Sequence, residues 1–224
     1  MALLWLNPFR NDFPDPERSP SKDIIAAGGD LSPARLLEAY KNGIFPWYNE
    51  GEPILWWSPD PRMVLLPNNL KVAKSMRPLF NQQKFKVTYN TCFQQVMTNC
   101  RENDRKGQYG DSWINDEMIE SYSVLKDWGY AHSVEVWEDE ALVGGLYGIA
   151  IGKLFFGESM FTKVSNASKY GFISLVEELK KRDFQLIDCQ QETQHLTSLG
   201  GQMLSRKEFM TYVRNNSEER LILN

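Results

Sequence analysis

Three residues carry most of the chemistry legible in this chain. They are Glu158, in the run Phe155-Phe156-Gly157-Glu158-Ser159-Met160-Phe161, and Asp188 and Gln190, in Leu186-Ile187-Asp188-Cys189-Gln190. Both runs have the apolar make-up of buried strands, yet carry polar groups where a plain core strand would carry Val or Leu. A buried carboxylate is costly unless it is paired or hydrogen-bonded. In an extended strand, residues two apart share a face, so Asp188 and Gln190 point together and Cys189 points away. Carboxylates and an amide on neighbouring strands are candidates for taking or guiding a proton. A satisfied buried hydrogen-bond network has the same pattern, and at this point both readings stand.

Other chemistries find less support. The two histidines, His132 and His195, have no Ser-His-Asp context, and there is no GxSxG elbow. Cys92, Cys100 and Cys189 are odd in number and widely spaced, giving neither a disulfide framework nor a metal pattern, so no metal is expected. Cys189 reads as a buried structural thiol. A hydrophobic content of 42% and a charged content of 24% suit a soluble globular protein. No apolar run approaches the ~20 residues that span a bilayer. The opening Met1-Ala2-Leu3-Leu4-Trp5-Leu6 lacks the length and basic start of a signal peptide. The expected compartment is a reducing cytoplasm.

Charge is unevenly distributed. From Pro61 through Arg101 there is no acid, while Arg62, Lys71, Lys74, Arg77, Lys84, Lys86 and Arg101 give a local +7 within a chain of net −4. Such a block is a candidate phosphate-binding surface for a nucleic acid, or simply a solvated face without acids. If helical, Lys71, Lys74 and Arg77 would lie along one side.

These residues need elements to hold them. Residues 1–62, rich in Pro, Gly and Trp, form a small N-terminal domain, and 63–224 the larger one. Ser32-Pro33 opens a short helix ending near Asn42, with Gly43 beyond it. The aromatic stretches 44–48 and 54–62 look too proline-broken for regular elements: a satellite core under loops, or the wall of a pocket. Further on, His132–Trp137, Ala141–Ile151 and Lys153–Phe161 read as three strands. Glycines inside the second signal a bulge or a close approach. Ser165 or Asn166 caps a helix to about Lys181, Phe184–Gln190 is a fourth strand, and Ser205-Arg206-Lys207-Glu208 is a capping box opening a last helix.

Three strands in a meander, a helix and another strand is the element order of the GNAT acetyltransferase core. The expected fold is therefore α+β: a small N-terminal domain, then an acetyltransferase-like α/β domain with a mostly antiparallel sheet. That order does not give a function. Coenzyme A would need a glycine-rich turn at the start of the long helix, and no glycine stands between Gly157 and Gly171. An acyl donor of another kind is favoured.

The chain resembles the leucyl/phenylalanyl-tRNA–protein transferase family, bacterial enzymes that tag proteins for N-end-rule degradation. The runs that carry the resemblance are Gly28-Gly29-Asp30-Leu31-Ser32-Pro33, Gly43-Ile44-Phe45-Pro46-Trp47-Tyr48 and Trp56-Trp57-Ser58-Pro59-Asp60-Pro61-Arg62. Ala131 to Trp137, Leu142 to Gly148, Gly157-Glu158-Ser159-Met160-Phe161, Asn166-Ala167-Ser168-Lys169, Asp188-Cys189-Gln190 and Ser198-Leu199-Gly200 continue it. The resemblance covers nearly the whole chain, from Phe13 to Phe209. Departures are Ser21 to Ala26 in place of the family's Glu-Pro-Asn-Gly-Leu-Leu-Ala, Thr162-Lys163 for Ser-Arg, and Ser112-Trp113-Ile114 for Thr-Trp-Ile.

The resemblance implies transfer of Leu or Phe, and less readily Met, from aminoacyl-tRNA to the α-amine of a protein beginning with Arg or Lys. Aminoacyl-tRNA is then a co-substrate, with no free cofactor. It implies that the Gln190 amide oxygen receives the amine's hydrogen bond while Asp188 orients and polarises Gln190, and that Glu158 meets the acceptor's cation. The donor and its adenosine fall to Trp47, Trp113, Tyr122, Leu146, Phe155 and Leu175. The tRNA backbone falls to Lys71, Lys74, Arg77, Lys84 and Lys86. Two other classes remain to be told apart by experiment: an acyltransferase with a small acyl donor, and a tRNA-binding module without activity.

Overall fold

The structure, a computed structural model, describes residues 3–102 and 112–216. The N-terminal part contributes β1 (Trp5–Leu6), β2 (Ile24–Gly28), α1 (Pro33–Lys41), β3 (Phe45–Pro46) and β4 (Leu55–Trp57), with the strands in the order β1-β2-β4-β3. The aromatic stretches expected to be irregular thus supply two short strands. Side chains hold them: Trp56, fully buried, donates Nε1 to Gly28 O at 2.8 Å, and Trp57 donates Nε1 to Trp47 O at 2.6 Å. Pro46 sits on the edge strand, where its missing N–H breaks no ladder.

The rest of the chain runs β5 (Arg62–Leu65), α2 (Arg77–Asn81), β6 (Lys86–Tyr89), α3 (Phe93–Glu102), α4 (Asp116–Asp127), β7 (Ala131–Glu138), β8 (Ala141–Ile151) and β9 (Leu154–Thr162). It continues with α5 (Ala167–Lys181), β10 (Leu186–Gln190), α6 (Gln194–Ser198), β11 (Gln202–Leu204) and α7 (Arg206–Asn215). Among the described residues these strands form one seven-stranded sheet, β11-β5-β10-β9-β8-β7-β6, antiparallel at every pairing except β9 with β10. The fold is α+β, with the meander, crossover helix and parallel strand in the expected order.

The sheet separates two apolar clusters. On one face Tyr147, Ile149 and Phe156 pack with α3, α4 and the N-terminal α1. On the other Val134, Leu146, Ala150 and Phe155 pack under α5, which buries Ala167, Ile173, Leu175, Val176 and Leu179. Alternation along β7, β8 and β9 produces this division. Both uses of strand glycine occur in β8: a Cβ on Gly144 would lie 2.8 Å from that of Ala167, and one on Gly148, at a register shift against β9, would lie 2.2 Å from Phe156 O. Asn166 occupies the N-cap position of α5 in a left-handed conformation (φ 67°), without a side-chain cap. The capping box of Ser205 and Glu208 is present at α7.

Candidate active site

β9 and β10 pair only over Leu154–Phe156 and Leu186–Asp188, while β9 runs on to Thr162. Past that point they part, and two cavities fill the wedge. One, of 330 Å³, is walled by Phe45, Trp47, Trp113 and Gln191; the other, of 370 Å³, is walled by Leu146, Phe155, Met160, Phe161, Phe172 and His195. Glu158, Cys189, Gln190, Thr193 and Leu196 line both. The unpaired end of β9 therefore faces the end of β10 across a space large enough for a ligand.

Glu158 stands at the junction. Tyr122 Oη donates to its Oε2 at 3.4 Å, Gln190 Nε2 donates to its Oε1 at 3.2 Å, and the hydroxyls of Tyr122 and Tyr40 are hydrogen-bonded to each other. Burial pushes the Glu158 carboxyl up to about 8; the Asp188 charge adds to this, and the Tyr40 hydroxyl, Arg62 and the Tyr122 hydroxyl oppose it. Both tyrosines are raised, by burial first and then by the Glu158 charge, so they stay neutral donors.

Asp188 occupies a different layer. It is fully buried and held by Arg62, whose Nε donates to Oδ1 at 2.8 Å and whose Nη2 donates to Oδ2 at 2.6 Å. The Arg62 guanidinium lies 4.7 Å from the ring centres of both Phe45 and Phe209. Asp188 Oδ1 also accepts the backbone N–H of Gln190 at 3.0 Å. The expected shared face for Asp188 and Gln190 does not form. Gln190 has φ 58°, and the register against β5 shifts between Asp188 and Gln190. This bulge turns Gln190 and Cys189 into the wedge and leaves Asp188 behind. Asp188 thus holds the Gln190 backbone, while the Gln190 amide is held by Glu158.

Cys189 consequently lines both cavities, contrary to simple strand alternation. Burial, with the nearby Asp188 charge, raises its thiol far above the ordinary range, so it is no thiolate nucleophile near neutral pH. His195 lies on α6 at the larger cavity, its pKa lowered by burial and by Lys169. Of the expected donor-site residues, Trp47 and Trp113 line the smaller cavity, Leu146 and Phe155 the larger, and Tyr122 reaches the junction through its hydroxyl. Leu175 lines neither: it faces the α5 core and is fully buried. Among the described residues, no cluster of three His, Cys, Asp or Glu is placed to hold a metal ion.

The basic block divides. Arg62 is a buried partner of Asp188 and not a surface cation, and Arg101 pairs with Asp116 at 2.6 Å. Lys71, Lys74, Arg77, Lys84 and Lys86 are all exposed. They do not share one helix: Lys71 lies in a loop, Lys74 opens a 3₁₀ turn and Arg77 starts α2, because Pro78 and the short Arg77–Asn81 segment leave no longer helix to build. Lys84 is bonded to Glu138. The Lys71 N–H donates to Leu199 O at 2.8 Å, just past α6, so the block begins beside the roof of the cavities.

Tyr40, Arg62, Thr193, Leu196, Phe172 and Met160 are not evident as site residues from the sequence. Only Asp60-Pro61-Arg62, a polar run abutting a strand, offers a signal.

Two cavities meeting at a polar junction in the open wedge of a mixed sheet define a site for a ligand with apolar and polar parts. The leucyl/phenylalanyl-tRNA protein transferase family model matches residues 64–214, and the model of that family's N-terminal domain matches 29–60. The chain belongs to this family. It is 55% identical over 203 residues to the leucyl/phenylalanyl-tRNA–protein transferase of Flavobacterium johnsoniae, covering 91% of this chain and 95% of that one. To that of Christiangramia forsetii it is 54% identical, covering 94% and 100%. Among solved structures, a GCN5-related N-acetyltransferase from Kribbella flavida is similar at 9% identity and a TM-score of 0.34, covering 73% of this chain and 57% of that one. Among the described residues, no helix is long and apolar enough to cross a membrane.

Proposed function

We propose that this transferase moves Leu or Phe, and less readily Met, from the 3′ end of aminoacyl-tRNA to the α-amine of a protein that begins with Arg or Lys, marking it for N-end-rule degradation. The observation that carries this reading is the meeting of two cavities at Glu158 and Gln190. The larger, apolar one suits an unbranched apolar donor side chain; Trp47 and Trp113, in the wall of the smaller, suit stacking by the terminal adenosine. The exposed cations, of which Lys71 lies beside α6, suit the tRNA backbone.

The chemistry is aminolysis of an ester. The neutral amine attacks the aminoacyl carbonyl, the ester C–O bond breaks, an amide forms, and the tRNA ribose oxygen leaves with a proton. The ester brings its own driving force, so no free cofactor enters. With Nε2 of Gln190 engaged by Glu158, the amide oxygen is the end available to accept the amine's hydrogen bond. That hydrogen bond orients the amine on the carbonyl, while its proton leaves with the ribose oxygen; orienting of this kind is worth about 10²-fold in rate. Glu158 is also the carboxyl nearest an arriving cation. A guanidinium there would favour its ionised form, so acceptor binding releases a proton from Glu158.

The test is transfer from radiolabelled Phe-tRNA to peptides beginning with Arg, Lys or Asp, and to Nα-acetyl-Arg. Product is expected with the first two only, without coenzyme A. No product, or dependence on coenzyme A, overturns the reading. Glu158→Gln should lower transfer to Arg- and Lys-starting peptides ~10²-fold, with aminoacyl-tRNA binding kept. Full preference for basic N-termini in that variant would leave Glu158 only the role of holding Gln190.

A further inference from the structure

The Arg62–Asp188 pair lines neither cavity, yet it lies under the turn that carries Gln190. A glutamine at φ 58° is in a sparsely populated conformation and needs its surroundings to impose it. Three contacts do so. Asp188 Oδ1 accepts the Gln190 N–H at 3.0 Å, the register against Met63 is bulged, and Gln190 Nε2 reaches Glu158. The first depends on where the Asp188 carboxylate points. Arg62 fixes that: its planar fork takes both oxygens, and the Phe45 and Phe209 rings flank the guanidinium.

Resting on the transfer reaction above, we propose that Arg62 is a positioning residue, which holds the Asp188 carboxylate so that Asp188 sets the left-handed turn of Gln190 and aims its amide into the wedge. One feature separates this from an ion pair that only stabilises the sheet. Phe45 belongs both to the clamp on the guanidinium and to the wall of the smaller cavity, joining the pair to the site. It follows that Asp188, with both oxygens taken by Arg62, acts through the Gln190 backbone and does not itself receive the amine's proton.

Arg62→Lys keeps the charge and removes the fork. In single-turnover transfer it is expected to lower the rate about 10²-fold, as a small misplacement of a reacting group does, with KM for aminoacyl-tRNA within about twofold. Added to Gln190→Ala it should cause no further loss, because its effect passes through Gln190. An undiminished rate, or an equal loss in the Gln190→Ala background, overturns the proposal. If Arg62→Lys does not fold, Asp188→Asn, which keeps the shape, carries the same expectations. Hydrogen exchange of the Gln190 amide, read with selectively labelled glutamine, decides the matter without reference to transfer. The amide should be protected in the wild type and exchange at least ~10-fold faster in the variant. Equal protection overturns the positioning role; absent transfer by the wild type overturns the proposed reaction and leaves this readout in force.

Discussion

Gln190 donates its side-chain Nε2 to Glu158 Oε1 at 3.2 Å, joining the bulged end of β10 to the unpaired end of β9. One hydrogen bond therefore spans the wedge, and it sets which end of the amide is free. In the proposed reaction, acceptor recognition and the orienting of the amine meet there.

The elevated Glu158 pKa makes stability depend on pH. Burial raises it from an ordinary 4.5 to about 8, so between those values the folded protein binds a proton that the unfolded chain has released. Stability then falls as pH rises through that window. Glu158→Gln removes the contribution. The thermal midpoint of the variant minus that of the wild type should increase from about pH 5 to about pH 8.5. A difference independent of pH would mean that Glu158 is not held as a neutral acid.

The larger cavity should set donor choice. Leu146 lines it, so Leu146→Phe narrows it and should disfavour Phe against Leu by ~1–3 kcal/mol in kcat/KM. Competition between Phe-tRNA and Leu-tRNA measures the ratio. Equal losses for both donors would remove Leu146 from the donor pocket.

The exposed cations differ among themselves. Lys84 is already bonded to Glu138, whereas Lys74 and Arg77 form no ion pair with an acid among the described residues. Reversing Lys74 and Arg77 to Glu should raise KM for aminoacyl-tRNA more than it lowers kcat. The slope of log affinity against log salt should shrink by about 0.9 for each duplex phosphate no longer neutralised. Lys84→Glu should matter less. Unchanged tRNA affinity in the double variant would place the interface elsewhere.

Arg206 stabilises the fold away from the site. Buried at the start of α7, it donates to the carbonyls of Ser58, Pro16, Ser21 and Lys22, at 2.6 to 3.0 Å, and so ties the N-terminal region to α7. Arg206→Lys cannot reach them all and should cost about 2–4 kcal/mol in urea unfolding, leaving the single-turnover rate of the folded protein unchanged. A loss below about 0.5 kcal/mol would show that the carbonyls are satisfied without the fork.

Local signals make much of this legible in the sequence. The period of α5, the Ser205–Glu208 box, the strand alternation of β7 and β8 and the polar intrusions at Glu158, Asp188 and Gln190 are all short-range patterns, and each corresponds to an element or residue of the structure. What escapes depends on partners far along the chain. Arg62 reads as one more cation in a basic block because its partner lies at position 188. β3 and β4 read as loops because tryptophan hydrogen bonds to distant carbonyls hold them. Cys189 falls on the wrong face because alternation cannot foresee a bulge whose cause, the Gln190 turn, is tertiary.

The proposed mechanism turns on transfer taking place in the wedge, with the Gln190 amide oxygen accepting the amine's hydrogen bond. The measurement that bears on it most closely is the single-turnover rate of Phe transfer from Phe-tRNA to an Arg-starting peptide by Gln190→Ala, beside its affinity for Phe-tRNA. A rate about 10²-fold below wild type is expected, with the affinity unchanged. Transfer at the wild-type rate would refute the mechanism and move the chemistry away from Gln190.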